Sequence, residues 1–481
     1  MLQLSTKLYQ KLQKQYSRHI NLDLKRIRKV LEKLNNPEEQ LSNVVNVIGS
    51  DGKNSFLTSL KYFLEANGEK VNAFTSPHLY DVRHRFWLGN KFISLKEIKK
   101  YKKIIERTKQ RLTLFELLTC IYILAAIKTD FDSYNLCESG LLFKKDSTNL
   151  WSSPLAQVVT NINYQHQDWI RPKTIAEICR QKVGYLSEDT TIYIGKQKPK
   201  ILKIIKSILK TNPSEKVIYG SWKIINKNKK KYYKDKENLI KLDSKHVHSD
   251  GLWENVGLAI KVALDFGVNP KVIKKTVPNI QFEGRVQFVR GKLTKNLKKN
   301  ERLLLDGCHS DESTKNLARY LRKFKVPIYG ICGIQKNKNP NQLIKNFKGI
   351  LKKIVAIKIP NEPNAMNSFD LRRMALKHNF EAIESDNIKD ALKKISTKEK
   401  KIIVIFGSLY LVWKCSKYEL NILFNPRNNI RLCGSANFSC FQFTGLEQKH
   451  RWDSTDSIFC WSVGLLIYIV LGNNNFVGHL V

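Results

Sequence analysis

Seven residues, Gly49-Ser50-Asp51-Gly52-Lys53-Asn54-Ser55, combine the side-chain types that phosphate chemistry needs. Glycines let the N–H groups of a tight turn face an anion. A lysine supplies a charge that can reach β- and γ-phosphates, and a serine hydroxyl is a hard oxygen ligand for Mg²⁺. The run departs from the standard phosphate loop: Val47 stands at the first glycine position, and Asn54 separates the lysine from the serine. Farther along, Glu138, His166, Lys182, Arg285, Asp306 and His309 are of catalytic type. Taken singly, Glu138 also reads as a turn cap, the two histidines as structural residues, and Arg285 as one more solvated charge.

The elements that must position these groups are legible from periodicity. Val44–Ile48 is β-branched and predicts a strand, and Ser55–Ala66 predicts a helix closed by Asn67-Gly68, so the glycine run joins a strand to a helix N-terminus. Apolar runs at Val71–Phe74, Leu136–Cys137, Val158–Ile162 and Thr191–Ile194 alternate with helical segments such as Leu114–Ile127 and Thr174–Val183. Such alternation predicts a parallel sheet covered by helices. Asn21–Leu34 predicts a basic amphipathic helix, Asn226–Lys236 a surface hairpin or loop, and Trp253–Phe266 a helix. After a lysine-rich stretch at 291–301 a second series follows, with strands at Arg302–Leu305, Val326–Cys332, Ile354–Ile359 and Ile402–Phe406. The expected organisation is an α/β domain over 1–290, a linker at 291–301, a smaller Rossmann-like α/β domain over 302–414, and a tail over 415–481. The tail holds five of the 84 Lys+Arg residues but four of the nine cysteines. Its apolar run Ile458–Leu471 is shorter than the ~20 residues that cross a bilayer.

Read in order, the motifs resemble the folylpolyglutamate synthase/dihydrofolate synthase family of the Mur ligase superfamily. Gly49–Ser55 is similar to that family's G-T-N-G-K-G-S loop. Thr75-Ser76-Pro77-His78-Leu79 followed by Arg85 is similar to T-S-P-H-L…R, and Phe115-Glu116-Leu117-Leu118-Thr119 to F-E-x-x-T. Glu138-Ser139-Gly140-Leu141 with Asp146-Ser147-Thr148-Asn149 resembles E-V-G-L-G-G-R-x-D-A-T-N. His166-Gln167-Asp168-Trp169 stands where the family has D-H-x-D-W, and Arg180-Gln181-Lys182-Val183-Gly184 where it has R-E-K-A-G. Gly284-Arg285, Asp306-Gly307-Cys308-His309 and Gly407-Ser408-Leu409-Tyr410-Leu411 resemble P-G-R, D-G-A-H-N-P and G-S-L-Y-L. The resemblance covers roughly residues 20 to 413.

That resemblance implies a large N-terminal P-loop ATPase domain of Mur-ligase type and a smaller C-terminal domain. The implied reaction is ATP-dependent: a pterin-linked carboxylate, of dihydropteroate or of a folate glutamyl chain, is joined to L-glutamate through an acyl phosphate. Gly49, Ser50, Asp51, Gly52, Lys53, Asn54, Ser55, Asn255, Arg285 and Asp306 would bind ATP. Ser55, Glu138 and His166 would hold Mg²⁺ at one of two sites, and Lys182 would be carbamylated near the second. Lys53, Lys182 and His309 would be catalytic, while Ser76, Pro77, His78, Arg85 and Phe115 would border the pterin substrate. The chain departs from the family pattern at Asn54, Leu142, Phe143, Lys144, Gln165, Gly251-Leu252 and Ser310-Asp311. These departures leave a catalytically decayed relative as the alternative.

Charge raises a different class. The formal net charge is +42, from 84 Lys+Arg against 42 Asp+Glu. A basic nucleic-acid-binding ATPase would concentrate arginine and aromatics in one stripe. Here the excess is mostly lysine spread along the chain, so no nucleic-acid partner is expected. Nine cysteines without CxxC spacing and an amino terminus lacking an apolar signal core predict a cytoplasmic protein with no membrane partner. A monomer acting on small molecules is expected.

Overall fold

The computed structural model describes residues 2–16, 21–78, 81–211, 216–228, 230–290 and 293–419. The tail's apolar run and Leu79 lie outside them. The first sheet contains β1 (Val44–Ile48), β2 (Val71–Phe74), β3 (Phe86–Gly89), β4 (Lys91–Phe92), β5 (Tyr134–Glu138), β6 (Ala156–Val159), β7 (Thr191–Ile194) and β8 (Lys216–Ile218). Their order is β4-β3-β2-β5-β1-β6-β7-β8, parallel except for the β2–β3 and β3–β4 pairs. Every residue of β1 is buried, as expected of a parallel strand covered on both faces. It lies between β5 and β6, where the strand order turns back. Open α/β sheets bind ligands in the crevice beyond the carboxyl ends of strands at such a point.

The polar segment 226–236 forms most of an antiparallel hairpin, β9 (Lys223–Lys227) and β10 (Lys230–Lys234), completed by β11 (Leu239–Leu242). This small sheet packs on the Asp250–Asp265 helix. A Cβ at Gly257 of that helix would lie 2.5 Å from the Trp222 ring. Only a glycine lets the indole in.

The third sheet contains β12 (Gln287–Val289), β13 (Glu301–Asp306), β14 (Ile328–Cys332), β15 (Leu351–Ile357), β16 (Glu381–Ser385) and β17 (Lys401–Phe406), in the order β12-β13-β17-β14-β15-β16. Only β12 runs antiparallel to its neighbour. Of the 291–301 stretch, Leu293–Asn296 forms a 3₁₀ turn, and Leu293 is buried with Leu303 and Leu305. At its end Glu301 receives Ser396 Oγ at 2.7 Å and faces the buried Lys401 ammonium at 3.7 Å. The closing helix runs Leu409–Glu419, and its Cys415 is buried in the same core.

Candidate active site

At the carboxyl end of β1 the chain turns through Gly49 and Gly52, with φ of +151° and +93°. A Cβ on Gly49 would stand 2.0 Å from Thr160 Oγ1, and one on Gly52 2.6 Å from the Asn255 side-chain amide. Both positions therefore need glycine for conformation and for space. The N–H groups of Ser50 and Asp51 donate to Asn161 O at 2.8 and 3.2 Å. The donors left for an anion are those opening the Lys53–Ala66 helix, whose N-cap, Gly52, supplies no capping side chain. Ser55 Oγ donates to Gly52 O at 3.0 Å and accepts Asn255 Nδ2 at 2.9 Å. Asn255, 200 residues later, thus lies directly against the turn.

Two lysines converge on one oxygen. Lys53 Nζ is 3.2 Å and Lys182 Nζ 2.9 Å from Gly49 O, and Lys182 also donates to Leu141 O. Burial, and after it the Lys53 charge, lowers Lys182 to a pKa of about 7. Lys53 Nζ lies 3.9 Å from Glu138 Oε1, while the Ser76 N–H donates to Glu138 Oε2 at 3.0 Å. Burial pushes the Glu138 carboxyl up, against the opposing pull of Lys53. His166 sits in the left-handed region at φ +62°, and its Nδ1 is buried without a hydrogen-bond partner. Burial and the charges of Lys182 and Lys53 hold its pKa far below the usual imidazole range. His166 is therefore a neutral ring with an unused polar atom. Among the described residues no three His, Cys, Asp or Glu side chains form a metal cluster. Of the three expected metal ligands, Glu138 has a lysine beside its carboxylate, and the Ser55 hydroxyl is engaged by Gly52 O and Asn255.

Asp51 binds residues that are remote in sequence. Its Oδ2 accepts Asn163 Nδ2 at 2.6 Å, Gln165 Nε2 at 3.2 Å and Ser310 Oγ at 2.8 Å. Burial would raise this carboxyl, but His309, these donors and Arg285 hold it below its ordinary value. Gln165, at a family aspartate position, donates where a second carboxylate would repel. Ser310, the N-cap of the Asp311–Leu321 helix, brings the third sheet to the phosphate-type turn. His309 Nδ1 lies 2.8 Å from Gly307 O, and burial with Lys338 and Arg285 brings its pKa down to about 4. Asp306 accepts the Val286 and Cys308 N–H groups at 2.8 and 2.7 Å, one on each oxygen. The Cys308 thiol and the Arg285 charge also act on it, and the neighbouring Val286 stands at φ +46°, a strained value for a β-branched residue.

The expected substrate residues form a second group. The His78 ring accepts Arg85 Nε at Nδ1, 2.8 Å away. Pro77 lies between Ser76, whose N–H reaches Glu138, and that histidine. Phe115 stacks on Phe74 at 5.7 Å, and its edge would be 2.8 Å from a Cβ at Gly140. The F-E-x-x-T glutamate is structural: Glu116 completes a capping box with Thr113 and accepts Arg26 at 2.7 Å. Leu142 and Phe143, at family glycine positions, are buried in apolar core with Ile48 and Ile178. Lys144 points over Tyr185, its ammonium 4.3 Å from the ring centroid. A Cβ at Gly251, at a family histidine position, would meet the Asn316 side-chain amide at 2.8 Å.

Asn161, Asn163 and Lys338 were not singled out from the sequence. The asparagines sit in Asn161-Ile162-Asn163, three residues before His166, and a strand ending in a short polar run is the signal that could have found them. Lys338, whose charge acts on His166 and His309, is one lysine among many and carries no sequence signal.

A family model described as dihydrofolate synthetase, C-terminal domain, matches residues 289–417. The chain is 24% identical over 423 residues to the dihydrofolate synthetase of Saccharomyces cerevisiae, covering 82% of this chain and 96% of that protein. It is likewise 24% identical over 431 residues to the dihydrofolate synthase/folylpolyglutamate synthase of Bacillus subtilis, covering 81% and 93%. Among solved structures, Mycobacterium tuberculosis folylpolyglutamate synthase complexed with ADP superposes with a TM-score of 0.75 at 18% identity, covering 87% of this chain and 98% of that one. The Yersinia pestis bifunctional folylpolyglutamate synthase/dihydrofolate synthase, complexed with AMPPNP and a Mn ion, gives 0.74 at 19%, covering 86% and 97%.

Proposed function

We propose that the chain is a member of the folylpolyglutamate synthase/dihydrofolate synthase family of Mur ligases, to which it is similar over most of its length, and that it is an ATP-dependent carbon–nitrogen ligase joining L-glutamate to a pterin-linked carboxylate. The observation that carries this reading is the meeting of Lys53, Lys182 and Glu138 at the glycine turn beyond β1, with their charges acting on a neutral His166 whose Nδ1 has no partner.

A carboxylate is a poor electrophile. Transfer of the ATP γ-phosphoryl group to it gives an acyl phosphate, and the glutamate amine then displaces phosphate to form the amide. Lys53 and the N–H groups opening the Lys53–Ala66 helix neutralise charge on the transferring group. Asn255 orients Ser55 through its 2.9 Å bond, and Arg285 and Asp306 shape the nucleotide side. His309, neutral above a pKa of about 4, serves at the nucleotide or at the entering glutamate. Ser76, Pro77, His78, Arg85 and Phe115 border the pterin.

The residue types fit a divalent cation: a neutral imidazole with an orphaned buried nitrogen and a buried carboxyl held by the Ser76 N–H and Lys53 are groups that a Mg²⁺ ion would satisfy. Ser55, Glu138 and His166 would hold it, and when bound it polarises phosphoryl oxygen. Lys182, with a pKa of about 7, is about half unprotonated at neutral pH, and that form would add CO₂ with loss of a proton to give a carbamate suited to a second cation.

This reading divides the chain into a nucleotide domain at 1–290, a connection at 291–301 and a ligase domain that begins at 302 and includes the Leu409–Glu419 helix, past the boundary expected at 414, and it puts the enzyme in the cytoplasm as a monomer. Among the described residues no helix is long and apolar enough to cross a membrane. The test is ADP release by purified protein given ATP, Mg²⁺, glutamate, and dihydropteroate or a folate. Release that needs both glutamate and pterin is expected; release indifferent to either rejects the reading.

A further inference from the structure

The Leu2–Gln15 helix carries none of the motifs above, yet it is seated on one loop of the site. The buried Ser5 hydroxyl donates to Asp81 Oδ1 at 2.5 Å and accepts the Val82 N–H at 3.3 Å. One turn later, the Tyr9 ring meets the His78 imidazole edge-on, with centroids 4.4 Å apart and planes at 88°. The Arg85 guanidinium lies 6.0 Å from the centroid of the same Tyr9 ring. Ser5, Leu8, Tyr9 and Leu12 share one helix face, and the leucines anchor it in a core with Phe74, Val82 and Phe86.

The segments held in this way, residues 75–78 and 81–85, are also tied to each other and to the candidate cation site. Thr75 N–H donates to Arg85 O at 2.9 Å, Arg85 Nε to His78 Nδ1 at 2.8 Å, and Ser76 N–H to Glu138 Oε2 at 3.0 Å. With Nδ1 accepting from arginine, the neutral His78 ring carries its proton on Nε2. The imidazole cannot swing out of this arrangement without leaving Tyr9.

We propose that Ser5 and Tyr9 are positioning residues for the pterin substrate: the amino-terminal helix fixes the paired side chains of His78 and Arg85 and so presets the residues that border the pterin. The inference rests on the assignment of those residues to the pterin. Residues already set in place need not be ordered at the moment of binding.

The experiment measures steady-state ADP release and, separately, equilibrium binding of dihydropteroate by fluorescence in the full chain. Variants are Tyr9→Phe, Tyr9→Leu and Ser5→Ala, and thermal melting reports folding. Tyr9→Leu is expected to raise the KM and Kd for dihydropteroate about fivefold to tenfold, with the KM for ATP changed less than about twofold. Ser5→Ala is expected to act in the same direction, and Tyr9→Phe, which keeps the ring, to match the parent. If Tyr9→Leu melts like the parent and its pterin constants are unchanged, the inference is overturned. It is equally overturned if the ATP and pterin constants rise together, because that marks a general packing loss. A parent protein with pterin-dependent turnover leaves the proposed reaction standing in either case. A parent that neither binds dihydropteroate nor releases ADP in response to it removes the proposed reaction and this inference together.

Discussion

Lys53 and Lys182 share the Gly49 carbonyl, yet their roles separate by environment. Lys53 reaches toward Glu138 at the mouth of the phosphate-type turn, and Lys182 is wholly enclosed. Replacing Lys53 with alanine is expected to lower kcat/KM by a factor of about 100 or more while far-UV circular dichroism stays unchanged. Retained turnover would take Lys53 out of the reaction. Lys182 makes stability depend on pH. Its pKa falls from 10.5 in the unfolded chain to about 7 when folded. Between those values the unfolded chain binds the extra proton, so this group's contribution makes the fold more stable as pH rises from 7 toward 10. The denaturation midpoint of the parent should therefore climb over that window more steeply than that of Lys182→Met. Equal slopes would show that the amine is not enclosed as described.

The strand–turn–helix unit works because two glycines let side chains from distant elements close on the backbone. Gly52→Ala must accommodate a φ of +93° and an Asn255 amide 2.6 Å from the new Cβ. It is expected to raise the KM for ATP about tenfold or more and to cost roughly 2–3 kcal/mol of stability. Gly267→Ala is the control: its φ is +85°, but a Cβ there meets nothing within 4 Å. It should cost only about 1 kcal/mol and leave the KM for ATP alone. Equal ATP constants in the two variants, measured by the same ADP-release assay, would mean that Asn255 does not press on the turn. The element patterns also fixed what the notation of motifs could not: Glu116, the acidic residue of a family motif, is spent on capping its own helix and pairing Arg26.

For the whole molecule, the net charge of +42 has less to do with the fold than its size suggests, since the formal excess is spread along the chain. The contact of Ser310 with Asp51 ties the third sheet to the phosphate-type turn of the first, so the candidate site uses both. The core of the third sheet includes Leu411, Val412 and Cys415 of the Leu409–Glu419 helix. A chain cut after Lys414 would lose Cys415 from that core, and one ending at Glu419 would keep it. Removal of residues 420–481 is expected to shift the melting temperature by less than about 3 °C, and a larger drop in a calorimetric scan would assign those residues to the core.

Most strands and the glycine turn were legible in the sequence because their signals are local. β-branched runs such as Val44–Ile48, and a glycine run between a strand and a helix, specify themselves within a few residues. The antiparallel edge β3–β4 and the short β8 were not read, because two to four residues give too short a period. The Leu2–Gln15 helix was missed because its apolar face acquires meaning only where it packs. At the site, ordered motifs named the residues, but only the tertiary structure decided how their atoms are used. It spent the Ser50 and Asp51 amides on Asn161, seated Gln165 and Ser310 on Asp51, and left His166 Nδ1 buried and unpaired. Residue type is a property of the chain, whereas burial and partnership arise between segments as much as 259 residues apart. Those two quantities set charge state and reactivity, so the chemistry of this site was settled by packing.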